Sequence, residues 1–170
     1  MTPRVPSREW LSWLAGFLDG EGSFSYHGPS KGRGGRTLEL CCGNTCREVL
    51  VQIQDHLGRG SVHLKSYRKA NPRWKWCYEW SVTGSDAQAV AELVLPFLCV
   101  KKRQAEVFLR FPTSRKGRHR SASESLNCDA LRYQLRALNR KGSQGAEDFN
   151  ASGEPGQGSL PLDEPKRRKA

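Results

Sequence analysis

The sequence has no apolar run long enough to cross a bilayer, since a spanning helix needs about 20 consecutive apolar residues. Its opening, MTPRVPSREW, lacks the apolar core of a secretory signal. A reducing intracellular compartment is therefore expected, with organelle, nucleus and prokaryotic cytoplasm not distinguished. Histidine is scarce, and His27, His56, His63 and His119 have no metal-like spacing. The six cysteines (Cys41, Cys42, Cys46, Cys77, Cys99, Cys128) follow no disulfide or zinc framework, because CCGNTC lacks the two-residue gap of a zinc knuckle. Most of these thiols fall in apolar patterns, where cysteine behaves as a small hydrophobe.

Acids are the next shortage: 17 against 28 bases, a net charge of +11. Such an excess favours a polyanionic partner, with nucleic acid ahead of an anionic membrane. Residues 142–170 hold five acids and four bases, so the positive charge is concentrated in residues 1–141. A chain of 170 residues can bury one core. The expected organisation is a folded domain over 1–141 and a tail over 142–170. That tail is rich in glycine, proline, serine and acids and is expected to stay disordered. Its closing KRRK reads first as a solubilising terminus, ahead of a phosphate contact or a nuclear import signal.

The chain does contain periodic apolar patterns. In REWLSWLAGFL, residues Trp10, Leu11, Leu14, Ala15 and Leu18 recur at helical spacing, with Ser7 placed to cap a helix over about residues 8–20. SFSYH and TLELCC read as two strands joined by the Gly-rich, basic turn GPSKGRGGR. NTCREVLVQIQDHLG is a helix carrying Val49, Leu50, Ile53 and Leu57. A second hairpin follows, SVHLKSY and WKWCYEWSV around RKANPR. Trp74, Trp76, Tyr78 and Trp80 share one strand face there, expected to be core beneath helices. AQAVAELVLPFL, interrupted by Pro96, then VKKRQAEVFLRF, then SASESLNCDALRYQLRALN give three more helices, the last capped by Ser121 or Ser123. The order predicts an α+β fold: αββαββα with extra C-terminal helices. Four antiparallel strands lie side by side, helices cover one face, and the other face is exposed and basic.

Asp19 and Glu21 fall where the first helix ends. Free carbonyls there form the negative pole of the helix dipole, so acids are unfavourable without a nearby cation. A divalent cation held by carboxylate oxygen and the Gly20 carbonyl is one resolution, and two solvated acids beside a turn are the other. Gly16 and Gly20 lie four apart on one helix face, a spacing that admits close approach of another backbone.

LAGFLDGEG, Leu14 to Gly22, resembles the signature of the LAGLIDADG homing endonucleases. The single-motif branch is similar also in length, in element order and in the segment LPFLCVKKRQAEVFL, over about Ser7 to Asn139. The resemblance implies a homodimer meeting along residues 8–20, with Trp10, Leu14, Ala15, Gly16 and Leu18 in the interface. It implies a nuclease that hydrolyses both strands of a long, pseudo-palindromic double-stranded DNA site and is encoded within an intron. Glu21 would be the essential metal ligand, the Gly20 carbonyl a further ligand and Asp19 a supporting acid. Mg²⁺ is the expected ion, with Mn²⁺ as a substitute. Lys101 resembles the lysine that approaches the cut phosphate. Lys102 and Arg103 would hold flanking phosphates, and Gln104 would serve packing or orientation. DNA contacts are expected from Tyr26, His27, Lys31, Arg33 and Arg36 on the first ribbon. Lys65, Tyr67, Arg68, Lys69, Arg73 and Lys75 would supply them on the second. Asn139, Arg140 and Lys141 would reach backbone phosphates near the centre.

The sequence departs from the family at Cys42, where a polar, water-positioning residue is expected. Asn44 and Arg47 are the candidate substitutes. A noncatalytic DNA- or RNA-binding protein on the same fold, an intron-splicing factor or a regulator, is the alternative.

Overall fold

The computed structural model describes residues 6–27, 37–65, 75–112 and 121–140. Lys31, Arg33, Arg36, Tyr67, Arg68, Lys69, Trp74, Arg73, Lys141 and the expected tail lie outside them. Helix α1 spans Arg8–Glu21, and the Ser7 hydroxyl accepts a hydrogen bond from the Trp10 amide at 3.3 Å. A cap of this kind contributes about 1 kcal/mol. The chain passes from Glu21 directly into β1, Gly22–His27, with no intervening loop. This junction requires glycine: a Cβ on Gly22 would lie 2.6 Å from the Leu18 carbonyl oxygen.

β2 spans Thr37–Asn44, α2 Arg47–Leu57, β3 Ser61–Lys65 and β4 Cys77–Thr83. The four strands form one antiparallel sheet in the order β1-β2-β4-β3. α3 spans Gly84–Val94 and runs into a short 3₁₀ turn at Leu95–Phe97, where Pro96 prevents continuation. α4 spans Lys102–Leu109 and α5 Ala122–Leu138. A reciprocal capping box of Ser121 and Glu124 opens α5. Type and order of every expected element agree with the sequence pattern. The fold is α+β, a four-stranded antiparallel sheet with helices on one face and additional C-terminal helices.

Period-2 alternation assigns the two sheet faces. Phe24, Tyr26, Leu38, Leu40, Cys42, Trp80 and Val82 are buried and point to the helices. Leu14 and Leu18 of α1, Leu50 and Ile53 of α2, Val90 and Val94 of α3 and Phe108 of α4 complete that core. Trp80 is fully buried, and its indole N–H donates to the Arg59 carbonyl at 3.1 Å. The core stripe expected along β4 holds for Trp80 and, in part, for Tyr78, whereas Trp76 is exposed. Trp76 lies just before β4, which begins at Cys77.

The open sheet face is not basic on its described residues. The His27 Nε2 and Glu39 Oε2 atoms lie 2.6 Å apart across β1 and β2. On β3 and β4, Glu79 pairs with Lys65 and with His63, the latter at 3.3 Å. Acids and bases alternate across strands, so the ladder carries nearly balanced charge.

Candidate functional site

The end of α1 is held against the segment leading into α4. The Asp19 carboxylate accepts hydrogen bonds from the Cys99 and Lys101 backbone amides, both at 2.8 Å. Asp19 is therefore a clamp on the 99–101 turn. Each of its oxygens accepts one of these two hydrogen bonds.

Lys101 returns the contact. Its Nζ lies 3.0 Å from the Leu18 carbonyl oxygen, 2.8 Å from that of Asp19 and 3.5 Å from that of Gly20. These are last-turn carbonyls of α1, the groups that a helix leaves without intrahelical donors. An ammonium has three N–H donors and offsets the negative pole of the dipole. The positive partner that the motif acids require is thus Lys101, already in place within one chain. Partial burial holds its pKa below the usual lysine value, and the attraction of Asp19 and Glu21 opposes that shift.

Glu21 is exposed at the last residue of α1 and makes no hydrogen bond or ion pair among the described residues. Its carboxylate is the free acid of the motif. The structure so brings Asp19, Gly20, Glu21 and Lys101 together, although Lys101 is 80 positions away in sequence from Glu21. For a divalent cation, one chain offers the Glu21 carboxylate and the Gly20 carbonyl, whose contact with the ammonium is the longest of the three. Both are hard oxygens and fit Mg²⁺, which takes about six such donors and usually keeps waters and phosphate oxygens among them. No group of three or more His, Cys, Asp or Glu residues suited to a metal occurs among the described residues. A complete shell therefore needs oxygens from outside a single chain.

Several expected contacts are placed differently. Tyr26 is buried on the helix side of the sheet and stacked on Phe111 at 4.3 Å, so it does not line the open face. Its even position along β1 puts it in phase with Phe24. Leu14, Ala15 and Leu18 are fully buried in the core of their own chain and leave no surface for an interface. Trp10 is half-buried, stacked on His56 of α2 at 4.7 Å. The outward face of α1 carries Gly16 and Gly20, with no heavy atom within 4 Å of a Cβ built on either. Beside them lie Trp13, exposed, and Phe17, its ring 5.6 Å from that of Trp13. The Asn139 side-chain amide donates to the Phe24 carbonyl at 2.9 Å and ties the end of α5 to β1. Gln104 does the same for α5 and α4, donating to the Leu138 carbonyl at 3.2 Å. Lys75, Lys102, Arg103 and Arg140 are exposed, while Lys65 and His27 are engaged by Glu79 and Glu39.

Cys42 is buried against the helices, and desolvation first, then Cys41, Glu79 and Glu21, pushes its thiol up to about 12. Buried on the helix side of the sheet, it is not placed to orient solvent. Asn44 does not replace it, because its Oδ1 accepts from the Cys46 amide at 2.9 Å and shapes the turn before α2. Arg47 is exposed on the first turn of α2. Alternation with Trp80 places Glu79 on the open face, as the sequence pattern has it, whereas Glu39 was not among the residues expected there. Its alternation with Leu38 and Leu40 was the signal that could have placed it.

No protein-family profile and no curated protein matches the sequence. Solved structures do match in three dimensions. The homing endonuclease I-CvuI in complex with the I-CreI target aligns over 81% of this chain and 85% of its own, at 23% identity and a TM-score of 0.66. The archaeal intron-encoded homing endonuclease I-Vdi141I, complexed with DNA, aligns over 79% and 86% at 23% identity and a TM-score of 0.63. The meganuclease I-SmaMI, bound to uncleavable DNA, aligns over 78% of this chain and 45% of its own at 21% identity and a TM-score of 0.59. The chain has the fold of the LAGLIDADG homing endonucleases.

Proposed function

We propose that the protein is a homodimeric, Mg²⁺-dependent endodeoxyribonuclease that cuts both strands of one long, pseudo-palindromic DNA site, borne by an intron whose spread it initiates. The observation that carries this reading is Glu21: an acid at the exposed negative end of a helix, without a partner, beside a lysine ammonium, on the fold shared with homing endonucleases. Two copies meeting through Gly16, Gly20 and Trp13 would bring two such carboxylates to one place, one for each DNA strand.

Within that reading Glu21 and the Gly20 carbonyl hold the ion. When bound, Mg²⁺ supplies charge neutralisation at the phosphate and a more acidic water. Lys101 offers its cation to the charge that develops on the phosphate oxygens, and partial burial strengthens that interaction. Asp19 fixes the backbone from which Lys101 projects. Lys102 and Arg103, exposed beside it on α4, can meet the neighbouring phosphates.

The test is cleavage of the uninterrupted allele of the host gene, with and without Mg²⁺. Glu21→Gln should abolish cutting while retaining most DNA affinity, as measured by product formation and by a gel-shift titration. Mg²⁺-dependent cutting at the unaltered rate by that variant would remove Glu21 from its role. The burial of Cys42 favours a second reading, a DNA- or RNA-binding protein without cleavage, such as an intron-splicing factor. Tight binding of the same site with no cut at any Mg²⁺ or Mn²⁺ concentration would select it.

A further inference from the structure

A cleft of about 140 Å³ opens between β1 and the C-terminal half of α5, and Arg132, Arg136, Asn139, Ser25 and His27 are among its lining residues. Leu131 and Leu135 bury one face of α5 in the core, which sets Arg132 and Arg136 on the adjacent stripe, one turn apart. Asn139 fixes the end of the helix to the Phe24 carbonyl, so the cleft wall is held by a direct hydrogen bond. The Arg132 Nε is buried and has no hydrogen-bond acceptor among the described residues. A buried donor left unmatched is costly, and more so when it belongs to a charged group. Neither Arg132 nor Arg136 is in an ion pair among the described residues, so the cleft sets two guanidinium groups side by side with neutral donors beside them.

We propose that this cleft binds a phosphate group, with Arg132 and Arg136 as its ligands. A guanidinium matches phosphate geometry with two parallel N–H donors, which suits a tetrahedral oxyanion seated between two arginines. The phosphate comes from a DNA backbone passing along the β1 edge or from free phosphate. The DNA source rests on the DNA-binding reading given above, while the free source is independent of it.

Arg132→Gln and Arg136→Gln separate these cases. The unaltered protein and both variants are titrated with a fluorescent duplex of about 30 base pairs across a range of NaCl concentrations. In parallel, their melting temperatures are followed with increasing inorganic phosphate, using chloride at equal ionic strength as the control. With DNA as the source, each variant lowers the slope of log affinity against log salt by about 0.9 and weakens binding several-fold at low salt. With free phosphate as the source, the unaltered protein melts several degrees higher in phosphate and the variants do not, while the DNA slope is unchanged. Unaltered slopes together with identical melting responses overturn the site. If the unaltered protein binds no duplex, the nuclease reading fails, and the phosphate titration still decides the cleft. Arg136 is exposed, so Arg136→Gln carries the test should Arg132→Gln fail to fold.

Discussion

Asp19 and Glu21 are two acids of one short motif, and their surroundings give them opposite tasks. Asp19 accepts two backbone amides and holds a turn, whereas Glu21 is left unpaired at the surface. Hydrogen bonds to a charged acceptor contribute about 1.5–3 kcal/mol each when fully formed, less where solvent competes. Asp19→Asn leaves one acceptor oxygen and no charge, so a destabilisation of about 1–3 kcal/mol is expected from urea unfolding. An unchanged midpoint would show that the clamp contributes nothing. The motif itself, with Glu21 between two glycines and Asp19 just before them, was legible in the sequence. The division of labour was not, because the amides that engage Asp19 belong to Cys99 and Lys101, 80 and 82 positions further along. The structure adds Lys101, whose ammonium meets the last carbonyls of α1, to the positive charge expected at the helix end. Cys42 shows the same limit, since a residue's place in an aligned motif does not state which side of the sheet it faces.

Among the elements, α1 has two working faces, and periodicity reveals the first more readily than the second. The stripe Leu11, Leu14, Ala15 and Leu18 was legible as apolar and is the core of the same chain. The family resemblance placed Leu14, Ala15 and Leu18, with Trp10 and Gly16, in a dimer interface, whereas the first three are buried in the core of their own chain. The outward face is marked instead by absence of side chains at Gly16 and Gly20. The glycine that follows α1 and those on its outward face can be separated by substitution. Gly22→Ala drives a Cβ to 2.6 Å from the Leu18 carbonyl oxygen, and overpacking of this kind costs about 1–3 kcal/mol. Gly16→Ala meets nothing within 4 Å and improves helix propensity by up to about 1 kcal/mol. The folded chain should thus unfold at the same or higher denaturant concentration, while self-association measured by sedimentation weakens because a backbone approach is blocked. Loss of stability in dilute Gly16→Ala, where no dimer forms, would contradict the exposed placement of that face.

At the level of the whole molecule, charge has to be located before it can explain binding. The excess of +11 predicted a polyanion partner, and the expected place for it was the open sheet face. The described strands instead set Glu39 against His27, and Glu79 against His63 and Lys65. That face is close to neutral. On the proposed DNA-binding reading, phosphate contacts would then fall to bases outside the ladder: Lys102 and Arg103 on α4, Arg132 and Arg136 on α5, and the basic segments between strands. The segment joining β3 to β4 carries Arg68, Lys69 and Arg73 in its sequence. Replacing these three by glutamine should leave the melting temperature unchanged, because it alters none of the residues of the described core. It should lower the slope of log affinity against log salt by about 0.9 for each phosphate contact removed. Affinity should fall alike for target and unrelated duplexes, since phosphate contacts carry no sequence information. A fall confined to the target, with the salt slope intact, would instead make those residues base readers and return the phosphate contacts to the helices.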